Sequence, residues 1–263
     1  MIHFPRRPLE RMSFPHLIWF YRYLWIVPHV LLVAVAVAMY RKGLHKHFPI
    51  FFSYLLFEFL MCCILWPMAY FRAPVEIYWR LDLFDRAGDI ALRFGILQEL
   101  FDASAAGSAP WHRDVARMRN RVTVLLVIVA SVFFTALYFN SLDHAFFGNY
   151  VIIEALNVAQ CGLVVLLFLW HRFLGLRMSP FAFGIAVGMG LAMGVEPLQI
   201  VLRYSVPARM GMVVDMMNMA AYHAAVLVWL YYAQVREKVT SDSYAALPQF
   251  IEQAADLGRI AHL

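Results

Sequence analysis

The sequence predicts an all-α polytopic membrane protein, a bundle of seven transmembrane helices. Three observations carry that reading. Hydrophobic residues make up 63% of the chain and charged residues 15%, where soluble domains hold about 45–50% and about 25%. The apolar residues collect into runs near the roughly 20 that one helix needs to cross a bilayer core. Seven such segments and short connections use nearly all of the 263 residues, which leaves no separate soluble catalytic domain. Strands do not fit, because an open sheet cannot satisfy its backbone in lipid and the alternation of a barrel strand is missing.

Residues 1–17 read as an interfacial N-terminal segment, 18–235 as the transmembrane domain and 236–263 as a short cytoplasmic tail. The first span is 18–40, with a kink expected at Pro28. The second is 48–70, "FPIFFSYLLFEFLMCCILWPMAY". The third segment, 78–101, is discussed below. The fourth span is 122–140 and the fifth 147–171. The sixth, 180–202, opens with Pro180 at a helix start. It carries Gly184, Gly188, Gly190 and Gly194, two small-xxx-small pairs that let helices approach closely. The seventh is 211–234. The tail can form a small amphipathic helix with Phe250, Ile251, Ala254 and Leu257 toward one side.

The formal charge of +5 is read as loop Lys and Arg marking the cytoplasmic face, not as a nucleic-acid surface. The cysteines, Cys62, Cys63 and Cys161, lie in apolar runs without a CxxC pair. Neither a disulfide framework nor a zinc site is expected. The first hydrophobic run follows no signal-peptide cleavage pattern and is expected to remain as an anchor.

The third segment, "YWRLDLFDRAGDIALRFGILQELF", has the length of a span yet carries Arg80, Asp82, Asp85, Arg86, Asp89, Arg93 and Glu99. At 100° per residue, Asp82, Asp85, Arg86, Asp89 and Arg93 fall within an arc of about 100°. Leu83, Ala87, Ile90, Phe94, Leu97 and Phe101 form a separate apolar stripe. Asp82–Arg86 and Asp89–Arg93 are i,i+4 pairs with the acid first, the better orientation. A charge at the bilayer centre costs about 2.5–3.5 kcal/mol, so this face is expected inside the bundle. The alternative is a surface-lying amphipathic helix, which leaves six spans. Charge counting favours that alternative. With seven spans, Arg6, Arg7, Arg11, Arg22, Arg72, Arg203 and Arg209 lie outside. With six, only Arg41, Lys42, Lys46, Arg203 and Arg209 do, although "RKGLHKHF" then faces outward.

"FPIFFSYLLFE" opening the second span, Tyr78–Trp79 and Glu99–Phe101 resemble the landmarks of a family of uncharacterised bacterial seven-helix membrane proteins. That resemblance covers most of the chain. It implies a third span between the YW and E-[IL]-F landmarks, and it brings no activity with it. The family's third span is usually less charged, so the Asp/Arg face departs from the pattern. The resemblance decides for seven spans.

Under seven spans the polar residues converge in depth. Asp82, Asp85 and Asp89 with Arg86 and Arg93 lie in the third span, and Glu154 and Asn157 in the outer half of the fifth. Glu196 and Gln199 lie in the sixth, beside Pro197, and Asp215 and Asn218 in the seventh. Intramembrane ionisable groups default to function, which points to a wet polar cavity open to the outside. The competing role is interhelical glue. Glu58, near Cys62 and Cys63, is a proton site or a paired carboxylate. His29 and His223 fall at mid-depth as weak candidates for haem ligation; no other metal site or cofactor is indicated.

The only lysines are Lys42, Lys46 and Lys238, none at mid-membrane, so a retinal Schiff base has no anchor. No HExxH, GxSxG or phosphate-binding loop occurs, and enzyme function is unsupported. The leading expectation is a sensor or small-ligand-binding module in the bacterial inner membrane. It would act through a cytoplasmic protein partner at the loop "WHRDVARMRNR" and the tail, with no nucleic-acid partner. The alternatives are a proton- or cation-coupled transporter, although no inverted repeat is evident, and an accessory subunit of a membrane complex.

Overall fold

The computed structural model describes residues 15–71, 74–105, 120, 124, 147–173, 178–205 and 211–235, and these are helical apart from short connections. The helices are α1 (Pro15–Arg41), α2 (Pro49–Tyr70), α3 (Val75–Ala105), α4 (Phe147–Phe173), α5 (Pro180–Ser205) and α6 (Gly211–Gln234), with a short 3-10 turn at Leu44–Lys46. The expected fourth span, the basic loop and the tail helix lie outside the described residues, save Asn120 and Val124. So does the N-terminal segment, apart from the start of α1.

Five of these helices, all but α3, are long and apolar enough to cross a membrane. Their outward faces carry Val30, Val37, Leu56, Leu60, Val165, Leu169, Leu191 and Leu227, all exposed. Polar Asp82, Arg93, Asn157 and Gln160 are buried instead. An apolar exterior around a polar interior is what lipid selects, because hydrocarbon offers no partner to a hydrogen-bonding group. The chain is a membrane protein.

Each described helix packs on the next, α6 closes back on α1, and α3 also reaches across to α5. The contacts fix the directions. Gly43 takes the left-handed conformation (φ 71°) that turns the chain between α1 and α2, and His45 in that turn stacks on Tyr40 and meets Phe52. Along the α2–α3 seam, Phe57 meets Phe84 and Gly88, and Ile50 meets Gly95; numbers fall on one helix as they rise on the other, so the pair is antiparallel. Between α3 and α4 both numbers rise. Gln160 donates to the Ile90 carbonyl at 2.8 Å, and Phe101 packs edge-on to Trp170. These two helices are parallel. Val164 against Gly190 and Phe168 against Phe183 make α4–α5 antiparallel. Tyr232 against Gly184 and Trp229 against Gly188 do the same for α5–α6. His29 beside Tyr222, and Lys42 donating to the Val235 carbonyl, make α1 and α6 parallel.

The core centres on Trp229, which is fully buried. Phe51, Tyr54 and Tyr222 surround its ring edge-to-face, an arrangement worth about 0.5–1.5 kcal/mol per pair beyond area burial. Its indole N–H donates to the Ile185 carbonyl at 3.3 Å. Gly188 leaves the room for this ring, since a methyl there would overlap it. The helix α1 runs through Pro28, α2 through Pro67 and α5 through Pro197.

Candidate functional site: an interior charge network

The helix α3 is 31 residues long, about 46 Å at 1.5 Å per residue, and extends the sequence-based 78–101 at both ends. Of its charged arc, Asp82 and Arg93 are buried and Asp85, Arg86 and Asp89 half-buried, whereas Glu76, Arg80 and Asp102 are exposed. Asp82 and Arg86 pair at 3.0 Å with the acid nearly buried. Asp89 and Arg93 pair at 2.6 Å. The apolar stripe divides in two. Ile90, Leu97 and Phe101 are buried, whereas Leu83 is exposed beside Phe84, and Ala87 is also exposed. The first half of α3 therefore turns apolar side chains outward, and the second half turns them into the bundle.

Arg93 is the hub. Its side chain is 8% exposed and bridges Asp89 on its own helix and Glu196 on α5, the latter at 2.8 Å. Long, planar and permanently charged, Arg suits a buried double bridge better than Lys. The Tyr54 hydroxyl on α2 and the Tyr222 hydroxyl on α6 stand in the field of the same guanidinium. Glu58 on α2 stands beside Asp89 on α3, each one residue along its helix from the contact of Phe57 with Gly88.

The remaining sequence-predicted residues divide in the same geometry. Asp85 is half-buried and faces Asp82 and Asp89. Asn157 is buried one turn from Gln160 on α4. Gln199 donates to Asp215 at 3.1 Å, a separate polar tie between α5 and α6. Asn218 is half-buried on α6. Glu154 belongs to α4, but its side chain lies outside the described residues.

His29 and His223 turn to different rings: His29 to its own helix through the Trp25 carbonyl, at 2.7 Å, and to Tyr222, and His223 to Tyr23. Among the described residues, no three His, Cys, Asp or Glu side chains converge as a metal-binding group. The three cysteines are free.

Three residues central to the network stood outside the sequence-based site set. The sequence reads Glu58 as a proton site or a paired carboxylate, without naming its partner. Tyr54 and Gln160 give no signal, because a tyrosine or glutamine in an apolar run carries no spacing that announces a partner. Glu99 accepts the Ile50 and Phe51 backbone N–H groups, each at 3.1 Å. It thus caps the start of α2, where Phe48 offers no side-chain cap.

Two grooves lie away from this network. One, of about 330 Å³, runs between α1 and α2 past Val37, Tyr40, Arg41 and Phe59. The other, of about 580 Å³, lies between α3 and α4 and is lined by Phe94, Gln98, Asn120, Val124 and Leu163.

Helices long and apolar enough to cross lipid and a buried, branched charge network mark a helical membrane protein with polar groups in its interior. No protein-family model, curated protein or solved structure matches it.

Proposed function

We propose that the chain is a seven-span inner-membrane protein that binds a small polar ligand in the interior around Arg93 and signals the event to a cytoplasmic partner. One observation carries the ligand reading. The Tyr222 hydroxyl, Asn157 Oδ1, Gln160 Oε1 and Glu196 Oε2 are buried and have no hydrogen-bond partner among the described residues. They come from α4, α5 and α6 and lie along one stretch of α3. An unsatisfied buried polar group costs about 1–3 kcal/mol. A polar solute that satisfies several of them at once is therefore held strongly, and one that prefers one helix arrangement shifts the population of states.

The helix directions support seven spans. Because α3 and α4 are parallel, Ala105 and Phe147 lie at opposite ends of the bundle. The span expected from the sequence at 122–140 fits that arrangement, and Asn120 and Val124 line a groove beside α3. The end holding Arg41, Lys42, Lys46 and Arg172 is then the cytoplasmic one by the positive-inside rule. The family resemblance agrees with this count.

Thiol labelling tests the reading. Cys62, Cys63 and Cys161 are replaced, single cysteines are placed at Asp82 or Asp85, and intact cells are treated with an impermeant reagent. Labelling from outside is expected. Labelling only after the inner face is opened would remove the outward site and leave six spans. A second reading, a proton-coupled carrier, is favoured by the excess of carboxyls over guanidinium around Arg93.

A further inference from the structure

The interior network holds more acid than base. Arg93 is bridged by Asp89 and Glu196. Arg86 is bridged by Asp82. Glu58 stands behind Asp89 on the neighbouring helix and takes part in no ion pair among the described residues. The charged and titratable groups facing it are Asp85, Asp89 and Arg93 of α3, Tyr54 and Cys62 of its own helix, and Tyr222 of α6; Glu196 of α5 faces Asp89. Arg93 is the one cation in this company, and its charge is already matched by two carboxylates. A third carboxylate beside Asp89 would add a negative charge that this single guanidinium does not balance in a low-dielectric interior.

Two carboxyls brought together in that way do not both ionise; they share a proton. The contact is built in. The Phe57 ring occupies the space a side chain at position 88 would need, one residue before Glu58 and Asp89 on their helices. A second, independent observation points to a donor and acceptor in the same place. The Tyr222 hydroxyl is buried, has no hydrogen-bond partner among the described residues and stands beside this group.

We propose that Glu58 is a proton-binding site: it carries a proton taken from water and donates it in a hydrogen bond to the Asp89 carboxylate, which stays paired with Arg93. Taking up the proton forms the Glu58 O–H bond and removes one negative charge from the network; releasing it restores that charge beside Asp89. Tyr54 and Tyr222, in the field of Glu58, offer hydroxyls to receive the proton's hydrogen bond when the pair separates. This deepens the proposal of a functional interior, and it specifies the proton as a ligand of that interior whichever face the interior opens to.

Infrared spectroscopy of the full chain in detergent or lipid nanodiscs reads the proton directly. At neutral pH the carbonyl stretch of a protonated carboxyl, shifted in heavy water, is expected. It should move when glutamate alone is labelled with ¹³C, vanish in Glu58→Gln, change frequency in Asp89→Asn and persist in Asp85→Asn. The absence of such a band in the unsubstituted chain would overturn the proposal. So would a band that moves with aspartate labelling alone, or one that survives Glu58→Gln. The isotope experiment uses the unsubstituted chain, so a band that ignores glutamate labelling overturns the proposal even where a substituted chain fails to fold. Thiol labelling that fails from outside would sink the outward ligand site and leave the infrared result standing, so the two failures are distinguishable.

Discussion

Arg93 concentrates more interaction than any other described side chain, and its removal is the sharpest test of the interior. Taking it away strands Asp89 and Glu196 as buried charges. Arg93→Ala is therefore expected to destabilise the bundle by about 3–5 kcal/mol, read as the loss of unfolding free energy in mixed micelles. A loss below about 1 kcal/mol would mean that the pairs are solvent-exposed. Glu99 acts differently. Its two oxygens serve two N–H groups, so Glu99→Ala should cost about 0.5–2 kcal/mol, the range for a lost helix cap. Glu99→Gln should recover part of this, because one amide oxygen remains to accept. Half of this chemistry was legible in the sequence. The Asp89–Arg93 spacing announces its pair because one turn of helix brings the two together. The Arg93–Glu196 bridge joins residues 103 positions apart, and no local period encodes it. The cap by Glu99 was not legible for the same reason: its partners are backbone groups of another helix, and backbone groups leave no mark in a sequence.

At the scale of elements, glycine decides how close helices come. Gly184 faces Tyr232 and Gly188 faces Trp229, while Gly190 meets Val164 on the other neighbour. The small-residue spacing read from the sixth span thus serves two interfaces, and Gly194, with open space around it, serves neither. Gly188→Ala should cost about 1–3 kcal/mol by overpacking the indole. Gly194→Ala should be neutral or slightly stabilising by helix propensity. A thermal-stability comparison of the two variants in one detergent checks both signs. The helix bounds agree with the apolar runs to within a few residues for all the described spans, because a hydrophobic run and its flanking loop charges mark a span directly. The third segment was harder. Its charged arc was legible, but its ends were not. The helix continues to Ala105 past Asp102, and the stripe predicted to bury uniformly turns outward at Leu83.

At the scale of the molecule, the directions of the helices carry the topology. The connection between α1 and α2 and the one between α2 and α3 lie at opposite ends of the bundle. A single cysteine at Lys46 should be shielded from an impermeant reagent in intact cells, and one at Pro74 should react. The reverse pattern would invert the protein in the membrane. The sequence made the all-helical membrane class plain, since composition and run length are global properties. It ranked seven spans above six only through the family resemblance, against the charge count. The parallel pairing of α3 and α4 is a relation between elements that only the packed chain displays. The Glu99 cap also bears on how the protein is made. The carboxylate that finishes the start of α2 is synthesised 49 residues after Ile50. Until the ribosome has delivered α3, the leading turn of α2 has exposed amide groups that lipid cannot solvate. The two helices are accordingly expected to leave the insertion machinery together, as a hairpin, and a nascent chain stalled before Glu99 should remain crosslinkable to that machinery through α2.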